Sequence, residues 1–145
     1  MRPVLFDSNI LVYAHNLDSP FYNKATDLHR KVISGELNAA VAVQNLLEFY
    51  SVITDPKRIA KAKNPGIARK YCLAYLKAGF KIIYPQAGDF EKMLGLGSKK
   101  QIKSQKIFDV YLVATMLSNG IRTIYTANER DFEMFGEIRA VNPVT

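Results

Sequence analysis

A single cysteine, Cys72, is the only thiol in the 145-residue sequence. That excludes an internal disulfide, and with no Cys or His at zinc-like spacing beside it, a zinc site as well. Low-complexity runs, internal repeats and Gly/Ser-rich linkers are also missing, so the chain has no natural place to be cut. Residues 1–145 are expected to form one domain, long enough to bury a real core. No stretch approaches the roughly 18 apolar residues of a spanning helix. The N-terminal "MRPVLFDSNILVYAH" is broken by Asp7 before it can serve as a signal-peptide core. The expectation is a soluble, cytoplasmic protein with no membrane partner. Acid is scarce too: 13 Asp+Glu stand against 20 Lys+Arg, a net charge of +7 that points to a polyanionic partner.

The basic residues are bunched. "DPKRIAKAKNPGIARK" and "GSKKQIKSQK" hold Lys57, Arg58, Lys61, Lys63, Arg69, Lys70, Lys99, Lys100, Lys103 and Lys106. Such runs are also ordinary solvated faces, and they acquire a role only beside chemistry suited to phosphate.

Short apolar runs alternate with helical patterns along the chain. Strands are expected at "PVLF", "NAAVAV", "KIIYP", "RTIYTA" and "IRAVNP". Helices are expected at "SNILVYAHNL", at "SPFYNKATDLHRKVISG" with Ser19 as cap and Pro20 in the first turn, at "QNLLEFYSVITD", and at "NPGIARKYCLAYLKAG". Two more follow: "DFEKMLGLGSKK", weakened by Gly95 and Gly97, and the apolar "KIFDVYLVATMLSNG", with a short helical turn at "RDFEMFG". This alternation predicts a parallel sheet covered on both faces, whose sites form beyond the carboxyl ends of the strands.

The last long helix poses a question, because Asp109 stands among Ile107, Phe108, Val110, Tyr111 and Leu112. A helix apolar all round is buried, and an unpartnered carboxylate there is costly. Asp7 follows the first strand, Glu48 opens the helix after the second, and Asp131 follows "RTIYTA", so all four acids can converge on one rim. Each has a plainer explanation. Asp7 can cap a helix, Glu48 can be an exposed helical acid, and "NERD" (Asn128 to Asp131) matches a helix cap. Converging carboxylates repel unless a cation joins them, and an oxygen-only set suits Mg²⁺ or Mn²⁺.

With "VLFDSNILVYA", "VQNLLEFYSVI", "FDVYLVATMLSNG" and "IYTANERDFEMFG…VNP" in that order, the sequence resembles the PIN-domain nucleases, most closely the VapC-like toxin ribonucleases of toxin–antitoxin pairs. The resemblance implies an α/β fold, a PIN-like three-layer α/β/α sandwich around a parallel sheet of four to five strands. It implies that Asp7, Glu48, Asp109 and Asp131 form the catalytic and metal-binding quartet, supported by Ser8, Asn9, Thr126 and Asn128. It implies one or two Mg²⁺ or Mn²⁺ ions, an RNA substrate, a homodimer and a small antitoxin partner. Where many relatives carry a further aspartate this chain has Asn128, which removes a charge and puts a second ion in question.

On this reading an activated water cleaves the phosphodiester, leaving 5′-phosphate and 3′-hydroxyl ends. Lys57, Arg58, Lys99, Lys100, Lys103 and Lys106 would supply RNA phosphate contacts. His15, near a helix end, and His29, on a polar helix face, are both read as structural or solvated. Tyr13, Phe21, Tyr22, Phe49 and Tyr50 are read as core or dimer contacts rather than base-stacking platforms. Two alternatives stay open within the fold, an RNA-processing nuclease that is not a toxin and a catalytically weak RNA- or partner-binding module. A haloacid-dehalogenase-type phosphohydrolase needs a second aspartate where this chain has Asn9.

Overall fold

A computed structural model describes residues 2–145. Five short strands, β1 (Val4–Phe6), β2 (Ala39–Ala42), β3 (Lys81–Ile83), β4 (Thr123–Tyr125) and β5 (Arg139–Val141), form one sheet in the order β3-β2-β1-β4-β5. Every pairing is parallel, with Leu5 set against Ala40 on one side and Ile124 on the other. Strand side chains alternate between faces. Leu5, Ala40, Ala42 and Ile124 therefore join one core, and Phe6, Ala39 and Val41 the other.

The chain leaves β1 toward β2 and β3, then returns past β1 to β4 and β5. Right-handed crossovers in opposite directions put their helices on opposite faces. So α1 (Ser8–Tyr13), α2 (Tyr22–Ile33), α3 (Val43–Ile53) and α4 (Pro65–Tyr75) cover one face. The other is covered by α5 (Asp89–Lys99) and α6 (Ile107–Ser118), with Phe132 and Phe135 alongside. This is the expected three-layer sandwich with five strands. The order reverses between β1 and β4, where parallel sheets open a crevice at the strands' carboxyl ends.

Element by element, the differences are local. The second helix begins at Tyr22, not at Pro20, because the Ser19 hydroxyl accepts from Phe21 N in a tight turn instead of capping the helix. α1 ends at Tyr13 and not at Leu17. α4 starts within the expected span, with Asn64 capping Ile67 N and Pro65 the first helical residue, and ends at Tyr75, short of the expected Gly79. His29 is not on a polar face. Its Nδ1 bonds the Ala25 carbonyl oxygen and its Nε2 the Tyr75 hydroxyl at 2.7 Å, which also meets His15 Nε2 at 3.2 Å. Burial pushes both imidazoles down, His15 to about 4.

α5 runs unbroken through its two glycines, and for different reasons. A Cβ on Gly97 would stand 2.9 Å from Ile107 Cδ1, so the missing side chain lets α6 pack closely. A Cβ on Gly95 would meet nothing within 4 Å. Gly95→Ala should therefore stabilise the fold by about 0.5–1 kcal/mol, the usual helix-interior difference between the two residues, read as a higher urea midpoint. An unchanged or lower midpoint would contradict that account.

Candidate metal centre

Asp7 leaves β1 at the switch point and caps α1, accepting from Ser8 N at 2.8 Å. The same carboxylate accepts from the Thr126 hydroxyl at 2.8 Å, from just beyond β4. Asn45 Nδ2 and Asn9 Nδ2 approach it at 3.5 Å each. Asn9 Oδ1 accepts from Ala127 N and its amide donates to Thr126 Oγ, so it ties the ends of β1 and β4 together. The plainer reading of Asp7 is thus correct as far as it goes. Capping uses one of its oxygens, while the residue also lines a cleft.

That cleft, of about 250 Å³, is walled by Asp7, Ser8, Asn9, Glu48, Arg58 and Tyr13, and by Asp109, Asn128 and Asp131 opposite. All four sequence-selected acids and three of the four supporting polar residues face it; Thr126 is buried behind Asp7. Glu48 projects from the second turn of α3, accepting from Ser8 Oγ and Gln44 Nε2 at 3.2 Å each. Asp109 stands in the first turn of α6. Asp131 belongs to a 3₁₀ turn at Glu129–Phe132 whose cap, Asn128, makes no side-chain bond to it, so capping does not account for this acid.

Burial falls on a different acid from the one singled out by the sequence. Phe108 is 60% exposed and the Asp109 side chain 33%, because the apolar helix starts at the rim and buries only from Val110 onward. Asp7 is 8% exposed. Burial pushes its carboxyl up to about 6; the Thr126 and Ser8 hydrogen bonds pull it down, and Glu48 and Asp109 push it further up. Asp109 is also raised by burial, against the pull of Lys106. The chain's other buried acid, Asp89, is accounted for by Gln86 N and Ser118 Oγ, each at 2.7 Å, and lies outside the cleft.

The basic residues divide. Arg58 reaches the cleft wall, and Lys57, Lys99 and Lys103 are exposed. Lys100 is spent on the Met134 carbonyl oxygen and lies over the Phe135 ring. Lys106 is turned inward: its ammonium stands 3.3 Å from Asp109 and 3.6 Å from Asp131. Two residues that the sequence did not single out also hold the site. Asn45, fully buried, accepts from Ala42 N at the start of α3 while facing Asp7. Gln44 joins Glu48 to the Phe108 carbonyl oxygen across α3 and α6. Their only signal was position, three and four residues before an acid on an amphipathic helix.

The donor set fits a hard divalent ion. It is all oxygen, it is concave, and its most buried carboxylate is held back from ionising by burial and by two neighbouring acids. Among the described residues, no three Asp, Glu, His or Cys side chains stand close enough to cage an ion as they are. The carboxylates of the cleft would have to draw together around one.

Ribonuclease VapC24 of Mycobacterium tuberculosis is 25% identical over 139 residues, spanning 96% of this chain and 95% of the relative. Ribonuclease VapC48 of the same species is 27% identical over 148 residues, spanning 95% of each. Among solved structures, VapBC2 from Rickettsia felis, bound to a DNA fragment from its promoter, superposes with a TM-score of 0.67 at 17% identity, covering 97% of this chain and 98% of the other. The sarcin–ricin loop-cleaving toxin VapC20 of Mycobacterium tuberculosis also gives 0.67, at 14% identity, with 94% and 98% covered. At such identities these structures speak for the fold alone. The PIN domain family model matches residues 4–138, from the first strand to the edge of the last, and so the chain belongs to the PIN domain family.

Proposed function

We propose that this protein is a metal-dependent endoribonuclease that hydrolyses RNA phosphodiester bonds with Mg²⁺ or Mn²⁺, and that it is the toxin of a VapBC-like toxin–antitoxin pair. The observation that carries the reading is the convergence of Asp7, Glu48, Asp109 and Asp131 on one cleft at the sheet's switch point. The two full-length relatives named as VapC ribonucleases support the choice of substrate class.

Asp7 and Asp109 would hold the ion directly, with Glu48 and Asp131 reaching it directly or through water. Bound there, such an ion polarises a phosphoryl oxygen and lowers the pKa of a water so that it can attack. The rest of the work belongs to the protein. Ser8 N, Thr126 Oγ and Asn45 fix the Asp7 carboxylate, and Ser8 Oγ and Gln44 fix Glu48. Arg58, on the cleft wall, is placed to meet a phosphate, with Lys57 beside it in sequence. Lys99 and Lys103 would add weaker, salt-sensitive attraction. Asn128 lines the cleft as a neutral oxygen donor, so one ion is the simpler complement.

An antitoxin that covers the cleft, a homodimer and a cytoplasmic setting complete the proposal. No helix among the described residues is long and apolar enough to cross a membrane. The test is incubation of purified protein with a panel of single-stranded and structured RNAs. Cleavage is expected with Mg²⁺ or Mn²⁺, giving 5′-phosphate ends, and none in EDTA. Cleavage that persists in EDTA, or 2′,3′-cyclic phosphate products, would overturn the reading.

A further inference from the structure

The cleft's two halves are held by different means. Among the described residues, Asp7 and Glu48 receive neutral donors: the Ser8 amide and hydroxyl, the Thr126 hydroxyl, and the Asn9, Asn45 and Gln44 side-chain amides. Asp109 and Asp131 are instead bridged by a full positive charge. Lys106 Nζ lies 3.3 Å from Asp109 Oδ2 and 3.6 Å from Asp131 Oδ1, and donates to the Asp131 carbonyl oxygen at 2.6 Å. An ammonium has three N–H donors and no acceptor, and this one has three oxygens of Asp109 and Asp131 within 4 Å. Among the described residues it is the one cation within ion-pair distance of either carboxylate.

A lysine ordinarily keeps its strongly hydrated ammonium in water. This one is turned inward, with its side chain 26% exposed. The backbone leading to it is unusual as well. Gln101 and Ser104 have φ of 55° and 56°, in the left-handed region that non-glycine residues seldom enter. They lie on either side of Lys103, Gln101 before and Ser104 at the start of the 3₁₀ turn Ser104–Lys106 that hands the chain to α6. Conformations of this kind persist where the surroundings over-determine them, and they gather at functional sites.

We propose that Lys106 is the cleft's built-in counter-cation, which a divalent ion must displace to reach Asp109 and Asp131. The inference rests on the metal-dependent reading above and adds a competitor to it. An ion and an ammonium that claim the same carboxylate oxygens bind against each other, and each weakens the other by the same factor. Lys106 therefore keeps Asp109 and Asp131 paired in the ion-free protein and sets a threshold on the divalent-ion concentration at which the site fills. A purely structural Lys106 makes the opposite prediction, because its loss would let the two acids drift and weaken the ion site.

The test is calorimetric titration of Mn²⁺ into the full chain as wild type, Lys106→Met, Lys106→Gln and Lys103→Gln, with circular dichroism as the check on folding. Both Lys106 variants should bind Mn²⁺ about 5- to 150-fold more tightly than wild type, the range over which linked sites ordinarily communicate. Their melting temperatures should also rise more on adding Mn²⁺. Lys103 is exposed, so Lys103→Gln removes the same charge without freeing the carboxylates and should change the affinity little. Equal or weaker binding by the Lys106 variants, or equal tightening in Lys103→Gln, would overturn the inference and leave the nuclease reading standing. No Mn²⁺ binding by any of the four folded proteins would overturn both.

Discussion

Asp7→Asn should lower metal-dependent RNA cleavage by about a thousandfold while making the ion-free fold more stable. The two effects have one source. Asp7 is buried in the wall of the cleft, and burial pushes its carboxyl up to about 6. At neutral pH the ionised form therefore carries a penalty of ~3 kcal/mol relative to an ordinary carboxyl. Asparagine has the same shape and keeps an oxygen for the Ser8 amide, but offers no second acceptor to the Thr126 hydroxyl. The net gain should be about 1–2 kcal/mol. What it removes is the anionic oxygen that the ion needs.

The pH dependence gives this prediction a sign. Below about pH 4 the carboxyl is protonated in both folded and unfolded chains, and no penalty exists. Between there and about pH 6 the folded chain keeps a proton that the unfolded chain has lost, so Asp7 withdraws stability as pH rises. His15, pushed down to about 4, and His29, also lowered, act oppositely. Their buried neutral rings stabilise the fold above about pH 6.5, and that contribution is lost as pH falls through the window below it. The wild-type profile mixes both, whereas its difference from Asp7→Asn isolates the carboxyl. The stability gap between the two proteins, from urea melts in EDTA, should widen from pH 4 to pH 6 and then level. A gap independent of pH would mean that Asp7 titrates normally.

Phe49→Ala carries the largest expected loss of stability, about 3–5 kcal/mol. Phe49 is fully buried, with its ring centroid 5.1 Å from that of His15 and 5.6 Å from that of Tyr75. It stands next to Glu48 on α3, and the two serve different surroundings, Phe49 the core and Glu48 the cleft. Truncation would leave a cavity where α1, α3 and α4 meet, in a domain whose whole stability is of order 5–15 kcal/mol. Urea unfolding should report it as a large drop in midpoint with little change in slope. A loss below about 1 kcal/mol would show that these helices repack freely around the site.

Much of this architecture is legible before any coordinates. Short apolar runs at "PVLF" and "NAAVAV", helical patterns between strands, and acids just past strand ends are local signals. Parallel connectivity turns them into a sheet with a crevice at a known edge. What stayed illegible depends on tertiary geometry. Ser19–Pro20 carries the chemistry of a helix start, yet the Ser19 hydroxyl is satisfied two residues on, and the helix waits until Tyr22. Gly97 reads as a weakness in α5 until Ile107 is seen against it. Asp109 looks like the buried charge because its neighbours in sequence are apolar, whereas Phe108 points outward and Asp7 carries the burial. Lys106 belongs to a basic run that reads as solvated. Only the left-handed backbone at Gln101 and Ser104, for which neither residue gives a compositional cue, precedes its turn into the cleft.

The central claim is that carboxylates from opposite walls of this cleft act together on one ion to cut RNA. Asp109→Asn tests it most directly, because the Asp109 side chain is 33% exposed and the change should leave the fold intact by circular dichroism. Cleavage of the same RNA in Mn²⁺ by wild type and by this variant, side by side, should show cutting by the first and almost none by the second. Undiminished cutting by Asp109→Asn would contradict the account.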